Sequence, residues 1–301
     1  MSLITVGTIA LDNIKTAAGE RKDMLGGSVS HFAMSARLFT KVHLAGVIGK
    51  DFPAHHISFF KKKGIDVNSV IESEGNSFRW TGEYKKGDFN TAITIATELG
   101  ALSNYVPQIH VSQRDIPNVF LANIDPDIQS HFLTLLKKPK FIGLDSMNLW
   151  IDIKRPSLIN LMKKVHLFVA NDGEAKALTG ETNLIKAAKT LRKMGPSFIV
   201  IKKGEHGVLF YSDKFMFSFP AFPVEEVVDP TGAGDTFAGA IMGYLAKVDR
   251  INEKSLKQAL LYATTLSSYN VESFGTEKTS KLTLAQVHQR MRKYIKFFSI
   301  K

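Results

Sequence analysis

The sequence predicts an α/β fold: a mostly parallel, buried sheet flanked by helices, with a small separate β-sheet over one edge. Three observations carry this. Short apolar runs without polar alternation recur along the chain, as in strands buried on both faces. A helical pattern follows most of them, and that alternation belongs to parallel sheets. Two stretches, 11–25 and 67–101, break the rhythm with mixed polarity and turn points at Gly75, Gly82 and Gly87.

Core strands are expected at 3–7, 43–48, 119–122, 141–144, 167–170 and 198–201. Helices are expected between them at 28–39, 54–63, 127–136, 156–164 and 183–194. The two irregular stretches read as short antiparallel strands outside the main sheet, forming a β-lid from separated inserts. Residues 101–117 have weak periodicity and receive no assignment. A chain of 301 residues with 44% apolar composition can bury one large core. The expected organisation is therefore a single domain over 1–301, with the lid contributed by about 11–25 and 67–101.

Composition narrows the function. The chain contains no cysteine, which excludes disulfides, thiolate metal sites and cysteine nucleophiles. Its formal charge is +11. The lysines fall in scattered pairs and one triplet, Lys61-Lys62-Lys63, without interleaved aromatics, so they read as solvated faces and no nucleic-acid partner is expected. Residues 1–11 lack the basic start of a secretory signal, and no apolar run approaches the roughly 18 residues of a membrane span. The expected location is cytoplasmic, with no membrane partner.

Polar residues gather where the strands end. Asn123 and Asp125 follow Ala122, Asp145 follows Leu144, Asn171 and Glu174 follow Ala170, and Lys202-Lys203-Gly204 follows Ile201. In an open parallel sheet, ligands bind beyond the carboxyl ends of the strands. These four ends read as a ligand-binding crest.

The sharpest motif is Asp229-Pro230-Thr231-Gly232-Ala233-Gly234-Asp235, which opens an apolar helix running to about Lys247. Glycines let the backbone turn tightly and approach a ligand. A Gly-Ala-Gly turn at a helix start aims N–H groups at one point, where the helix dipole also favours negative charge. That suits a transferring phosphoryl group. Asp235, in the first turn, can accept a proton from an attacking hydroxyl. Read by itself, the segment could also be a packing turn with a simple N-terminal helix charge. No P-loop, dinucleotide fingerprint or His-Glu-x-x-His pattern is present.

The 229–239 segment resembles the C-terminal signature of the PfkB (ribokinase-like) carbohydrate kinases. Gly26-Gly27-Ser28, continuing to Lys50-Asp51, is similar to that family's N-terminal segment. Asn171-Asp172-Gly173-Glu174 is similar to its Asn-x-x-Glu motif, and Gly204-Glu205-His206-Gly207 to its nucleotide loop. The resemblance implies a ribokinase-like three-layer core with a β-lid, and a kinase that uses ATP and Mg²⁺. It implies Asp235 as general base, with Gly232, Ala233 and Gly234 as anion hole. Asn171, Lys203, Gly204, Gly207, Gly232 and Gly234 would hold ATP, and Glu174 would hold Mg²⁺ through water. Asp12, Gly26, Gly27, His31 and Asn123 would hold acceptor hydroxyls. Asp229 and Thr231 would line a monovalent-cation site, taking K⁺. Local alternatives stay open: Asp12 as a turn residue, Asn171 as a helix cap, His31 as a packed residue and Asn123 as a local cap.

The expected acceptor is a small sugar or sugar-like polyol. The alternatives are a nucleoside, suggested by the aromatic–cation run Phe78-Arg79-Trp80 in the lid, and a non-catalytic member that binds a polyanion or protein. His31 stands where many members have Asn, and Ser28 where ribokinase-type members have Lys. A homodimer through the lid is the further partner considered.

Overall fold

The computed structural model describes residues 2–299. Its strands, in chain order, are β1 (Ser2–Val6), β2 (Ala10–Thr16), β3 (Gly19–Gly26), β4 (Lys41–Gly49), β5 (Asp66–Ser73), β6 (Phe78–Glu83), β7 (Ile93–Glu98), β8 (Asn118–Leu121), β9 (Phe141–Asp145), β10 (Leu167–Asn171), β11 (Phe198–Lys202), β12 (Val208–Tyr211) and β13 (Met216–Phe219). The helices are α1 (Ser28–Ala36), α2 (Ala54–Lys62), α3 (Pro126–Thr134), α4 (Asn148–Ile153), α5 (Arg155–Met162), α6 (Asp172–Thr179), α7 (Leu184–Lys193), α8 (Ala233–Val248), α9 (Glu253–Asn270) and α10 (Leu284–Phe298).

Nine strands form the main sheet in the order β13-β12-β11-β10-β9-β8-β1-β4-β5. It is parallel from β11 to β5, and only the β12–β13 hairpin runs antiparallel. The apolar runs are continuous because each strand buries both faces. Leu167 and Val169 enter the core under α1, α8 and α9, while Phe168 and Ala170 enter the one under α3, α5 and α7. Four strands make the second sheet, in the order β3-β2-β6-β7.

Two expectations need correction here. Residues 67–73 lie in β5, which pairs parallel with β4 and forms an edge of the main sheet. The second insert therefore starts at Phe78. The small sheet is also not wholly antiparallel, since β2 and β6 run parallel. Helix α1 stops at Ala36 rather than Phe39, and the chain leaves it through a turn in which Leu38 N–H donates to the Ser35 carbonyl. Residues 101–117 hold two short 3₁₀ turns.

Capping explains where several helices start. Asp125 accepts the Asp127 N–H ahead of α3, Asn183 caps α7, and Asn171, Asn252 and Thr283 each open a reciprocal capping box. No helix among the described residues is long and apolar enough to cross a membrane.

Helix α8 is positioned by small residues. A side chain on Gly239 would collide with the Phe32 carbonyl and the Ser35 hydroxyl, and one on Gly243 would press on the Ala36 backbone. Ser35 Oγ also donates to the Thr236 carbonyl at 2.7 Å. Helices α1 and α8 thus touch backbone to backbone, and their N-termini reach the same end of the sheet. Gly239→Ala overpacks this contact and is expected to cost about 1–3 kcal/mol in urea unfolding. A variant as stable as the parent would mean that α1 does not fix α8.

Candidate active site

The start of α8 is the centre of the site. Gly232 precedes it in the left-handed conformation, φ +71°. A side chain at Gly232 would strike the His31 ring. The Ala233 N–H turns back to the Pro230 carbonyl at 3.2 Å. Ala233 therefore builds the turn and offers no free donor, a correction to the expected anion hole. The N–H groups of Gly232, Gly234 and Asp235 make no backbone hydrogen bond among the described residues and are the donors that remain.

A buried amide holds this turn in place. Asn270, at the end of α9, accepts from Thr236 Oγ1 at 2.9 Å and donates to the Thr231 carbonyl at 2.8 Å. His31 Nδ1 lies 3.2 Å from the same Asn270 oxygen. That oxygen has no proton to give, so the contact requires Nδ1–H on His31. Burial pushes the His31 pKa down against the pull of Asp229 and Asn270. His31 is therefore packed beneath the turn, with a buried Nε2 that has no hydrogen-bond partner among the described residues.

Asp229 is fully buried. One carboxylate oxygen accepts the Thr231 N–H and the other the Gly275 N–H, each at 2.9 Å. The Asp229 side chain thus ties two loops together, and the Thr231 carbonyl accepts from Asn270.

Asp235 faces a compact charge cluster at the ends of β9, β10 and β11. Lys202 Nζ lies 3.4 Å from Asp145 Oδ2 and 2.9 Å from where a Gly234 side chain would begin. Its ammonium therefore sits at the mouth of the α8 turn. Burial opposes that charge, but Asp145, Glu174 and Asp235 outweigh it and hold the Lys202 pKa above its ordinary value. Glu174 is pushed up to about 7, mainly by burial, with Lys202 pulling it back. Burial first, and the Asp145 carboxylate second, raise Asp235 to about 8. Asp235 is half-buried, so it stays reachable from the cleft.

Asp12 approaches from the small sheet. It lies against Gly26, where any side chain would displace its carboxylate, and accepts the Gly27 N–H at 3.3 Å. Burial raises it to about 7. Gly27 has φ +88°, and a side chain there would hit the Thr8 carbonyl. Asn123 is committed to local contacts, accepting from Trp150 Nε1 at 3.0 Å and facing Met147 Sδ at 3.2 Å. Tyr84, just past β6, brings its phenol oxygen to 3.4 Å from Thr231 Oγ1. Burial, aided by Asp229, Asp12 and Asp235, pushes the Tyr84 pKa up to about 12.

Opposite lies the β11–β12 loop. Lys203 N–H donates to the Gly207 carbonyl at 2.8 Å. Gly204 and Gly207 have φ +54° and +88°. The chain beyond β6 reaches this loop: Asn90 Nδ2 donates to Glu205 Oε2 at 2.9 Å, and the Asn90 amide covers Gly204 where a side chain would stand. Asn171 and Glu174 bind each other reciprocally at 2.6 and 2.7 Å. Asn171 is thus a helix cap that also fixes Glu174. The charges of Asp12, Glu174 and Lys202 all act on Asp235 at the α8 turn, and the β11–β12 loop follows directly on Lys202; the space between them is the candidate cleft. Sequence reasoning placed Asp145 and Lys202 on the crest but gave them no role. It missed Tyr84, Asn90 and Asn270, which carry no local motif.

A family model described as pfkB family carbohydrate kinase matches residues 9–282. A cytidine kinase from Thermococcus kodakarensis is 31% identical over 259 residues, covering 83% of this chain and 89% of that protein. A nucleoside kinase from Methanothermobacter thermautotrophicus is 26% identical over 297 residues, covering 91% of each. Among solved structures, Burkholderia thailandensis nucleoside kinase in complex with ADP-inosine superposes with a TM-score of 0.79 at 18% identity, covering 98% of this chain and 96% of that one.

The raised carboxyls set a pH dependence. Asp12, Glu174 and Asp235 hold protons more tightly in the folded, ligand-free protein than in the unfolded chain. The unfolded chain therefore binds fewer protons from about pH 4 to pH 8, and stability falls as pH rises through that window. Asp235→Asn removes one of these titrations. Calorimetry of the ligand-free variant should show a higher Tm than the parent at pH 8 and a shallower fall from pH 4. An equal or steeper fall would contradict burial as the main cause of the Asp235 shift.

Proposed function

Because the chain belongs to the pfkB family of carbohydrate kinases, we propose that it moves the γ-phosphoryl group of ATP to a hydroxyl of a nucleoside, with Asp235 as general base. The fold is ribokinase-like, and enzymes of this family use ATP with Mg²⁺. The geometric support is the half-buried carboxylate of Asp235 at a helix start, beside free N–H groups and the Lys202 ammonium. Support for the acceptor class comes from the cytidine and nucleoside kinases, which align over most of the chain.

The chemistry follows from these positions. The acceptor hydroxyl gives its proton to Asp235 as its oxygen attacks the γ-phosphorus and the bond to the β-phosphate oxygen breaks. The N–H groups of Gly232, Gly234 and Asp235 and the Lys202 ammonium stabilise the charge on the transferring group. Lys203, Gly204, Gly207 and Asn171 border the nucleotide, and Asp12 with Gly26 and Gly27 borders the acceptor. Asp145 and Glu174 fit Mg²⁺, because the cluster with Asp235 sets three carboxylates against one ammonium and all the donors are hard oxygens. Mg²⁺ held there through water would neutralise phosphate charge. Such a reaction belongs in the cytoplasm, where ATP is supplied. The small sheet is the lid that shields transfer from water. Its outer strand β7 exposes Ile95 to 61%, a surface fit for a second copy.

The direct test measures ADP release with a panel of nucleosides, pentoses and hexoses. At least one ribonucleoside should be a substrate, and Asp235→Asn should lower kcat by roughly 10²–10⁴-fold while calorimetric ATP binding persists. Near-normal turnover in that variant would sink the assignment of the base. Activity confined to free sugars would move the acceptor to that class.

A further inference from the structure

We propose that the indole of Trp80 is the platform on which the planar base of the acceptor stacks; this rests on the reading of the acceptor as a nucleoside. The register of β6 against β2 places Trp80 opposite Asp12 and Gly82 opposite Ile14. Paired residues of neighbouring strands project to the same face, and alternate residues along a strand share it. Asp12 identifies that face as the one toward the cleft, since its carboxylate accepts the Gly27 N–H. Tyr84, two residues past Gly82, confirms it by reaching Thr231. Trp80, Gly82 and Tyr84 therefore line the cleft side of the lid.

Gly82 sets the orientation of the ring. A side chain on Gly82 would overlap the six-membered ring of Trp80. The six-membered ring therefore stands over Gly82, on the Tyr84 side of residue 80. The indole Nε1–H donates to Thr94 Oγ1 on β7 at 3.2 Å, which fixes its rotation. The ring fills the space that a side chain at residue 82 would take, and Trp80 stays half-buried. From residue 80 to residue 84 extended chain spans roughly 13 Å, room for a base and a pentose end to end. Arg79 takes no part, because Asp23 and Asp51 hold it in ion pairs. A flat aromatic surface pinned at its edge suits an uncharged heteroaromatic ring.

The test compares cytidine with free ribose as acceptors for the parent, Trp80→Ala, Trp80→Phe and Gly82→Ala proteins. The parent should favour cytidine in kcat/KM. Trp80→Ala should raise the KM for cytidine roughly 10- to 100-fold and leave the KM for ribose unchanged. Trp80→Phe, which keeps a ring face, should recover most of the loss. Gly82→Ala, which keeps the tryptophan but lifts it from its seat, should behave like Trp80→Ala. The chain has two tryptophans, so fluorescence gives a readout independent of turnover. Cytidine with a non-hydrolysable ATP analogue should quench the parent and not Trp80→Phe. A parent that phosphorylates sugars and no nucleoside would overturn the acceptor reading and the platform with it. A parent active on nucleosides, whose preference for cytidine survives Trp80→Ala and whose quench survives Trp80→Phe, would overturn the platform alone.

Discussion

The site is organised around the scarcity of positive charge at the sheet's carboxyl end. Asp145, Glu174 and Asp235 share one ammonium, that of Lys202. Lys202 gains enough from all three to stay charged despite its burial, while Glu174 and Asp235 are left with raised pKa values. In the ligand-free fold the cluster is therefore short of cations. The place is arranged to receive both signs of charge: free N–H groups and Lys202 on one side, spare carboxylates on the other. Parallel strand order creates this arrangement, because it delivers the ends of β9, β10 and β11 side by side.

Much of the fold was legible because a parallel strand buried on both faces leaves a run with no polar interruption. Runs such as 167–170 and 198–201 became β10 and β11 almost residue for residue. The failures have physical causes. Residues 67–73 carry mixed polarity because an edge strand has partly open surroundings, so β5 looked like lid. Helices α9 and α10 and the β12–β13 hairpin lie outside the strand–helix alternation on which the reading relied.

The site was legible in proportion to its local chemistry. Asp235, Gly232 and Glu174 sit in short motifs whose spacing carries the geometry. The readings for His31 and Asn123 met competing partners that no motif reveals: Asn270 for His31, and Trp150 with Met147 for Asn123. Asn270 lies 39 residues from Thr231, whose carbonyl it holds. Tyr84 and Asn90 lie just past a strand of the small sheet, so only the assembled sheets bring them to the α8 turn and the β11–β12 loop.

The bond between Asn90 and Glu205 has a mechanical consequence. The segment that follows β6 touches the α8 turn through Tyr84 at one end and the β11–β12 loop through Asn90 at the other. One short piece of chain thus ties the α8 turn to the β11–β12 loop. It cannot swing away from one end while remaining seated on the other without bending within a few residues. A shift at either contact is accordingly passed to the other as a single lever rather than as two.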